Sequence, residues 1–197
     1  MFWIFLLLTL LLIIKLNEIL GMKVGFQAPK ENRPNVFEKS SEQSIDISAS
    51  DRKIGKIQAI YPSFNPVDFL DKAKKVFEMI FTAYSKGDLK TLKGLMSPRI
   101  FYAFSMAISD RKKRKETLEG ILVRIIKADI VDAQETNGDI LITVQFETEQ
   151  SNVLKSESGE VLEGNSDFIE NRVDTWDFSR KKTSTDSRWY LNEIKSD

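Results

Sequence analysis

The 197-residue sequence contains no cysteine and no histidine. Disulfides, thiolate nucleophiles, Cys/His zinc sites and imidazole general bases are therefore excluded from its chemistry. Any catalysis would fall to carboxylates, Tyr, Lys or Ser, and neither a metal nor a cofactor is expected. The lack of cysteine leaves the compartment open, because such a chain tolerates either redox poise. Net charge is missing too: 29 Lys and Arg balance 29 Asp and Glu. A general nucleic-acid binder needs a basic surface, so no specific nucleic acid is expected as a partner. The balance shifts along the chain. Residues 1–64 carry 8 basic against 6 acidic side chains, and residues 65–197 carry 21 against 23.

What is present first is an uncharged apolar run, Phe2 to Ile14 (FWIFLLLTLLLII). Alone it spans about 20 Å as a helix, short of the roughly 30 Å hydrocarbon core of a bilayer. Continued through Lys15 to Leu20 it reaches a plausible span, with Lys15 snorkelling at headgroup level. Residues 1–21 are thus expected to be one transmembrane signal anchor, with Phe2, Trp3, Leu12, Ile14 and Lys15 as its contacts. A cleaved signal peptide is the rival reading. Against it, no Lys or Arg precedes the run and Leu20-Gly21-Met22-Lys23 lacks a small-x-small cleavage site. Lys15, Lys23, Lys30 and Arg33 all follow the run, which by the positive-inside rule places the body of the protein in the cytoplasm.

Residues 22–64 are polar, mixed in charge and without sustained period, as expected of a flexible tether reaching on the order of 35 Å. Ile54, Ile57 and Ile60, followed by Tyr61 and Phe64, break that pattern. Two readings stand for them, a segment packed on its own domain or a partner-binding segment.

The stretch Asn65–Asp88 is strongly amphipathic. Phe69, Leu70, Ala73, Val76, Phe77, Ile80, Phe81 and Tyr84 fall within an arc of roughly 140° at helical spacing. Asn65 is placed to N-cap, Pro66 suits the first helical position, and Gly87 suits a left-handed C-terminal stop. Asp88 then opens a short helix over 89–96. Ser97-Pro98 opens a third, carrying Phe101, Tyr102, Phe104, Ser105, Met106 and Ile108 into the basic run Arg111-Lys112-Lys113-Arg114-Lys115. That run is either a solvated helix end whose cations complement the dipole or a contact for anionic lipid.

From Leu118 the period becomes two. Residues 118–135 are expected to be a strand bent near Lys127-Ala128. Asn137-Gly138 is a two-residue hairpin turn, and 140–147 alternate as a half-buried strand. Residues 151–165 are expected to be an exposed connection or protruding hairpin. Asp167–Arg180 is expected to be a long strand with Phe168, Trp176 and Phe178 on one side, and Arg188–Lys195 the last strand. Three helices followed by about four antiparallel strands make an α+β layout over 65–197, a curved sheet wrapped on the first helix as a cone.

F-L-x-x-A-x-x-x-F-E-x-I at Phe69–Ile80, GDLKTL at Gly87–Leu92 and W-x-F-x-R at Trp176–Arg180 carry a family resemblance. Residues 65–195 resemble the C-terminal domain of subunit 44 of the mitochondrial translocase of the inner membrane, and most of all its small alphaproteobacterial TimA-type adaptor relatives. The resemblance implies a cone of the nuclear-transport-factor-two type with an apolar pocket and no enzymatic activity. It implies association with the inner membrane and with translocase or biogenesis proteins, among them a DnaK-type chaperone.

The expectation for function is a membrane-anchored adaptor of protein translocation or membrane-protein biogenesis at the bacterial inner membrane, with its domain cytoplasmic. Phe77, Phe81, Phe101, Phe104, Trp176, Phe178 and Trp189 are the candidates for the pocket, each equally readable as core packing. Arg111, Lys112, Lys113, Arg114 and Lys115 are the candidates for anionic lipid. Other classes remain to be weighed: a periplasmic bitopic component of a secretion machine, a ribosome tether, or an enzyme using Asp174, Asp177 or Tyr102. The enzyme is the weakest of these, because no paired-carboxylate motif is present.

Overall fold

Local signals at the ends of the long amphipathic stretch set the helix on which the fold is built. The computed structural model of the chain describes residues 54–165, 168–186 and 188–196. The expected anchor and most of the expected tether lie outside the described residues. Residues 54–60 form helix α1, followed by α2 (Pro66–Lys86), α3 (Leu89–Leu95) and α4 (Pro98–Lys113). Strands β1 (Thr117–Thr136), β2 (Asp139–Lys155), β3 (Val161–Gly164), β4 (Glu170–Lys181) and β5 (Tyr190–Ser196) complete an α+β architecture. There is thus one more helix among the described residues than the three expected, and one more strand than about four.

The side chain of Asn65 accepts from the amides of Val67 and Asp68 at 3.0 and 3.1 Å, satisfying two of the four free donors at the start of α2. Gly87 closes it at φ 69°, a conformation that a Cβ disfavours. Asn65→Ala is expected to lower stability by about 1 kcal/mol, read as a shift in urea midpoint at unchanged slope. Asp88 caps α3 in the same way. Ser97 does not cap α4 through its side chain. Its backbone N–H is instead drawn to the carbonyl of Leu191 at 2.8 Å, where the chain before α4 meets β5.

All strands pair antiparallel in the order β1-β2-β4-β5, and β3 takes the part of the β2 edge beyond β4. The β1–β2 turn has Asn137 at φ 54° and Gly138 at φ 80°, as a type I′ hairpin requires. Register shifts fall at Leu122/Arg124, Ile125/Lys127 and Ile130/Asp132, so the expected bend near Lys127 is one of three. Each bulge bends the strand and adds twist, curving the sheet around α2. Residues 151–165, expected to be a connection or hairpin, are the end of β2 turning into β3. Phe168 is 57% exposed and precedes β4, so it does not share the buried side of Trp176 and Phe178 as expected.

The core lies between the concave side of the sheet and α2. Phe69, Ala73, Phe77, Ile80 and Ala83 of α2 meet a surface built from Ile140, Ile142, Val144, Phe146, Trp176, Phe178 and Leu191. Ile57 and Phe64 are also buried in it. Of the two readings for that segment, packing on its own domain is the one observed. Arg180 holds the segment down, donating to the Tyr61 hydroxyl at 2.7 Å and lying over its ring.

Candidate functional site

The seven aromatic candidates divide by position. Phe77, Trp176 and Phe178 are fully interior, and Phe77 stacks on Trp176 and Phe146 at 4.5 and 4.8 Å between ring centroids. Phe146, absent from the sequence-based set, completes this cluster; its alternation with Ile140, Ile142 and Val144 was the available signal. Phe81, Phe101, Phe104 and Trp189 are only partly buried. Phe81 lies against Gly120, where an added Cβ would come within 3.1 Å of its ring. Phe104 meets Tyr84 edge-on at 5.1 Å, while Trp189 packs on Phe69 at the far end of α2. The set therefore forms an interior stack and separate rim positions.

The basic run is largely occupied by internal partners. Arg111 is buried, donating to the carbonyls of Tyr84 and Ser85 at 2.8 and 3.0 Å with its guanidinium over the Tyr84 ring. It thereby satisfies carbonyls at the open end of α2. Lys113 pairs with Asp110, Arg114 with Glu116 and Lys115 with Glu157, all at 3.0 Å or less. Lys112 has no such partner among the described residues.

On β4, alternation separates the two proposed acids. Asp177 lies on the convex side, buried, accepting from Thr143 at 2.7 Å and from Lys195 at 2.8 Å. Asp174 lies on the concave side with Trp176, and burial pushes its carboxyl above the usual range, against a smaller opposing pull from Arg172. Tyr102 is 67% exposed and belongs to neither side. A carboxyl whose folded pKa exceeds its unfolded one contributes stability that is complete below the unfolded value and is lost as pH rises through the folded pKa. Asp174→Asn is therefore expected to raise the melting temperature at pH 7. The gain should close as the pH falls to about 4.

An open depression of about 340 Å³ is lined by Glu78, Met79, Thr82, Ala83, Lys86, Asp88 and Thr91, on the side of α2 away from the aromatic stack. Among the described residues no acidic cluster is arranged to hold a metal ion, and no helix is long and apolar enough to cross a membrane.

Comparison with known proteins adds a family, a relative and two solved structures. The family model described as the Tim44-like domain matches residues 50–196. The mitochondrial import inner membrane translocase subunit TIM44-1 of Arabidopsis thaliana is 25% identical over 129 residues, covering 66% of this chain. The chain spans 27% of the length of that relative. Among solved structures, the intermembrane-space region of the chloroplast protein ARC6 aligns with TM-score 0.45 at 12% identity, over 64% of this chain and 95% of that one. An NTF2-like family protein of Streptomyces avermitilis aligns with TM-score 0.36 at 14% identity, over 64% and 93%.

Proposed function

Because the chain belongs to the Tim44-like domain family, we propose that it is a membrane-anchored, non-enzymatic adaptor in protein translocation or membrane-protein biogenesis. The observation that carries the proposal is the family match across residues 50–196, joined to the apolar run Phe2–Ile14. The anchor holds the domain on the cytoplasmic face of the inner membrane, and the chain between them lets it reach a neighbouring complex. Its partners are translocase or biogenesis proteins, with a DnaK-type chaperone among the candidates. The fold is a cone of the nuclear-transport-factor-two type, its half-buried rim of Phe81, Phe101, Phe104 and Trp189 offering apolar surface to lipid or peptide. Lys112, Lys113, Arg114 and Lys115 contact anionic headgroups, since surface ion pairs of about 0–1 kcal/mol exchange readily for phosphate.

Topology tests the proposal. An alkaline phosphatase fusion after Asp197 is expected to be inactive, and a green fluorescent protein fusion at the same site fluorescent. An active phosphatase would place the domain outside the cytoplasm and favour a periplasmic secretion-machine component instead.

A further inference from the structure

Beside the aromatic stack, four buried or half-buried polar side chains share the concave face of the sheet without satisfying one another. β2 and β4 pair without a break from Asp139↔Lys181 to Gln150↔Glu170. The alternation that buries Phe146, Trp176 and Phe178 therefore also places Thr148, Gln150, Arg172 and Asp174 on that face, with Glu170 at its exposed edge opposite Gln150. Thr148 lies directly opposite Arg172, and Asp174 is opposite Phe146, one step along the same face. Such neighbours stand on the order of 5–8 Å apart at Cβ.

Thr148 is fully buried and its Oγ1 has no hydrogen-bond partner. Gln150, two residues along the same face, is 5% exposed. Arg172 approaches Asp174 and Glu170 only to 3.9 Å, beyond hydrogen-bond distance. Buried polar groups are normally paired, and a threonine here could be replaced by valine of the same shape, the residue already standing at Val144. The side chains of Arg172 and Asp174 remain 21% and 13% exposed, so the cluster is open at the β4 side.

The charges decide what fits. A bare anion would suit Arg172, Gln150 and Thr148 but would lie against Asp174. A cation would suit Asp174 and Glu170 but would lie against Arg172, which approaches both carboxylates. A neutral group carrying both a carbonyl and an N–H meets all four. We propose that Thr148, Gln150, Arg172 and Asp174 form a binding site for a neutral amide, the chemistry of a peptide bond or a side-chain carboxamide. Its carbonyl accepts from Arg172 and Thr148, its N–H donates to Asp174, and Gln150 serves either. The site does not depend on the adaptor reading and would be present whichever side of the membrane holds the domain.

The test uses the full chain in lipid nanodiscs, with methyl-labelled Thr and Val observed by NMR. Four probes of similar size are titrated: N-acetylvaline methylamide, isobutyramide, isobutyrate and isobutylammonium. The methyl groups of Thr148 and Val144 are expected to shift saturably with the two amides, and isobutyrate and isobutylammonium to bind about tenfold more weakly. Tighter binding of the blocked valine assigns the site to peptide backbone, and tighter binding of isobutyramide assigns it to side-chain amides. Thr148→Val is expected to raise the melting temperature of the free protein while weakening amide binding about three- to tenfold, followed on Val144. A structural role alone would not move stability and binding in opposite directions. The proposal is overturned if no probe shifts these methyls saturably, if either ion binds as tightly as the amides, or if Thr148→Val leaves amide affinity unchanged.

Discussion

Phe77→Ala is expected to cost about 3–5 kcal/mol, the largest effect of any single truncation in α2. The Phe77 ring sits 4.5 Å from Trp176 and 4.8 Å from Phe146, and its residue is 2% exposed. Its neighbours are themselves rings held by the pairing of β2 and β4, so they cannot collapse into the vacated volume. The loss then includes a cavity term on top of the transfer term. Against a typical domain stability of about 5–15 kcal/mol, such a loss leaves a marginal protein. Urea unfolding followed by tryptophan fluorescence measures it, with Trp176 reporting from the wall of the cavity. Phe81→Ala is the control. Its ring is only partly buried, so a markedly smaller loss is expected there. Equal losses would mean that Phe81 is as central to the core as Phe77.

The second large effect is at Arg111. Arg111→Met removes the donor to two helix-terminal carbonyls and the cation over Tyr84, and about 2–4 kcal/mol is expected to go with them. Both hydrogen bonds leave a single nitrogen, Nη2, while the planar guanidinium lies over the Tyr84 ring, a contact that a lysine ammonium does not reproduce. Changing Lys112, Lys113, Arg114 and Lys115 together to Gln should cost about 1–2 kcal/mol of stability, most of it at Arg114, whose partner Glu116 is only 11% exposed, the other ion pairs being more exposed. The same change should weaken co-sedimentation with anionic vesicles. Denaturation and vesicle binding measured on both variants separate the two roles in one run of basic residues. Unchanged vesicle binding in the quadruple variant would remove the lipid contact from the proposal.

That run shows where sequence reading stops. Nothing local distinguishes Arg111 from Lys112, because the carbonyls that Arg111 serves lie 26 and 27 residues earlier. The caps of α2 and the Asn137-Gly138 turn were legible because their partners lie within a few residues. The alternation of β2 was legible because strand period is a local pattern. Ser97 looked like a cap, but its place is decided by β5, almost a hundred residues on. The segment of α1 stands out by its apolar side chains, but the choice between its two readings is not local: Ile57 and Phe64 acquire meaning only once Trp189, Phe69 and the sheet are in place around them. Phe168 had the right parity for burial, but β4 begins only at Glu170.

The candidate site was legible in part. Asp174 could be placed beside Trp176 by counting along one strand. Its grouping with Thr148, Gln150 and Arg172 depends on the register between β2 and β4, which hydrophobic pattern alone does not specify. The rim aromatics were identifiable as large apolar residues, but their half-burial depends on neighbours distant in sequence, Tyr84 for Phe104 and Phe69 for Trp189.

The adaptor role is tested most directly by purifying the full chain from solubilised inner membranes, beside a chain lacking residues 2–21, and identifying what accompanies each. The account predicts that the full chain fractionates with the membrane and brings down translocase or membrane-protein biogenesis components, and that the shortened chain leaves the membrane and loses most of them. Recovery of the full chain from the soluble fraction, or with periplasmic secretion components in place of these partners, would contradict it.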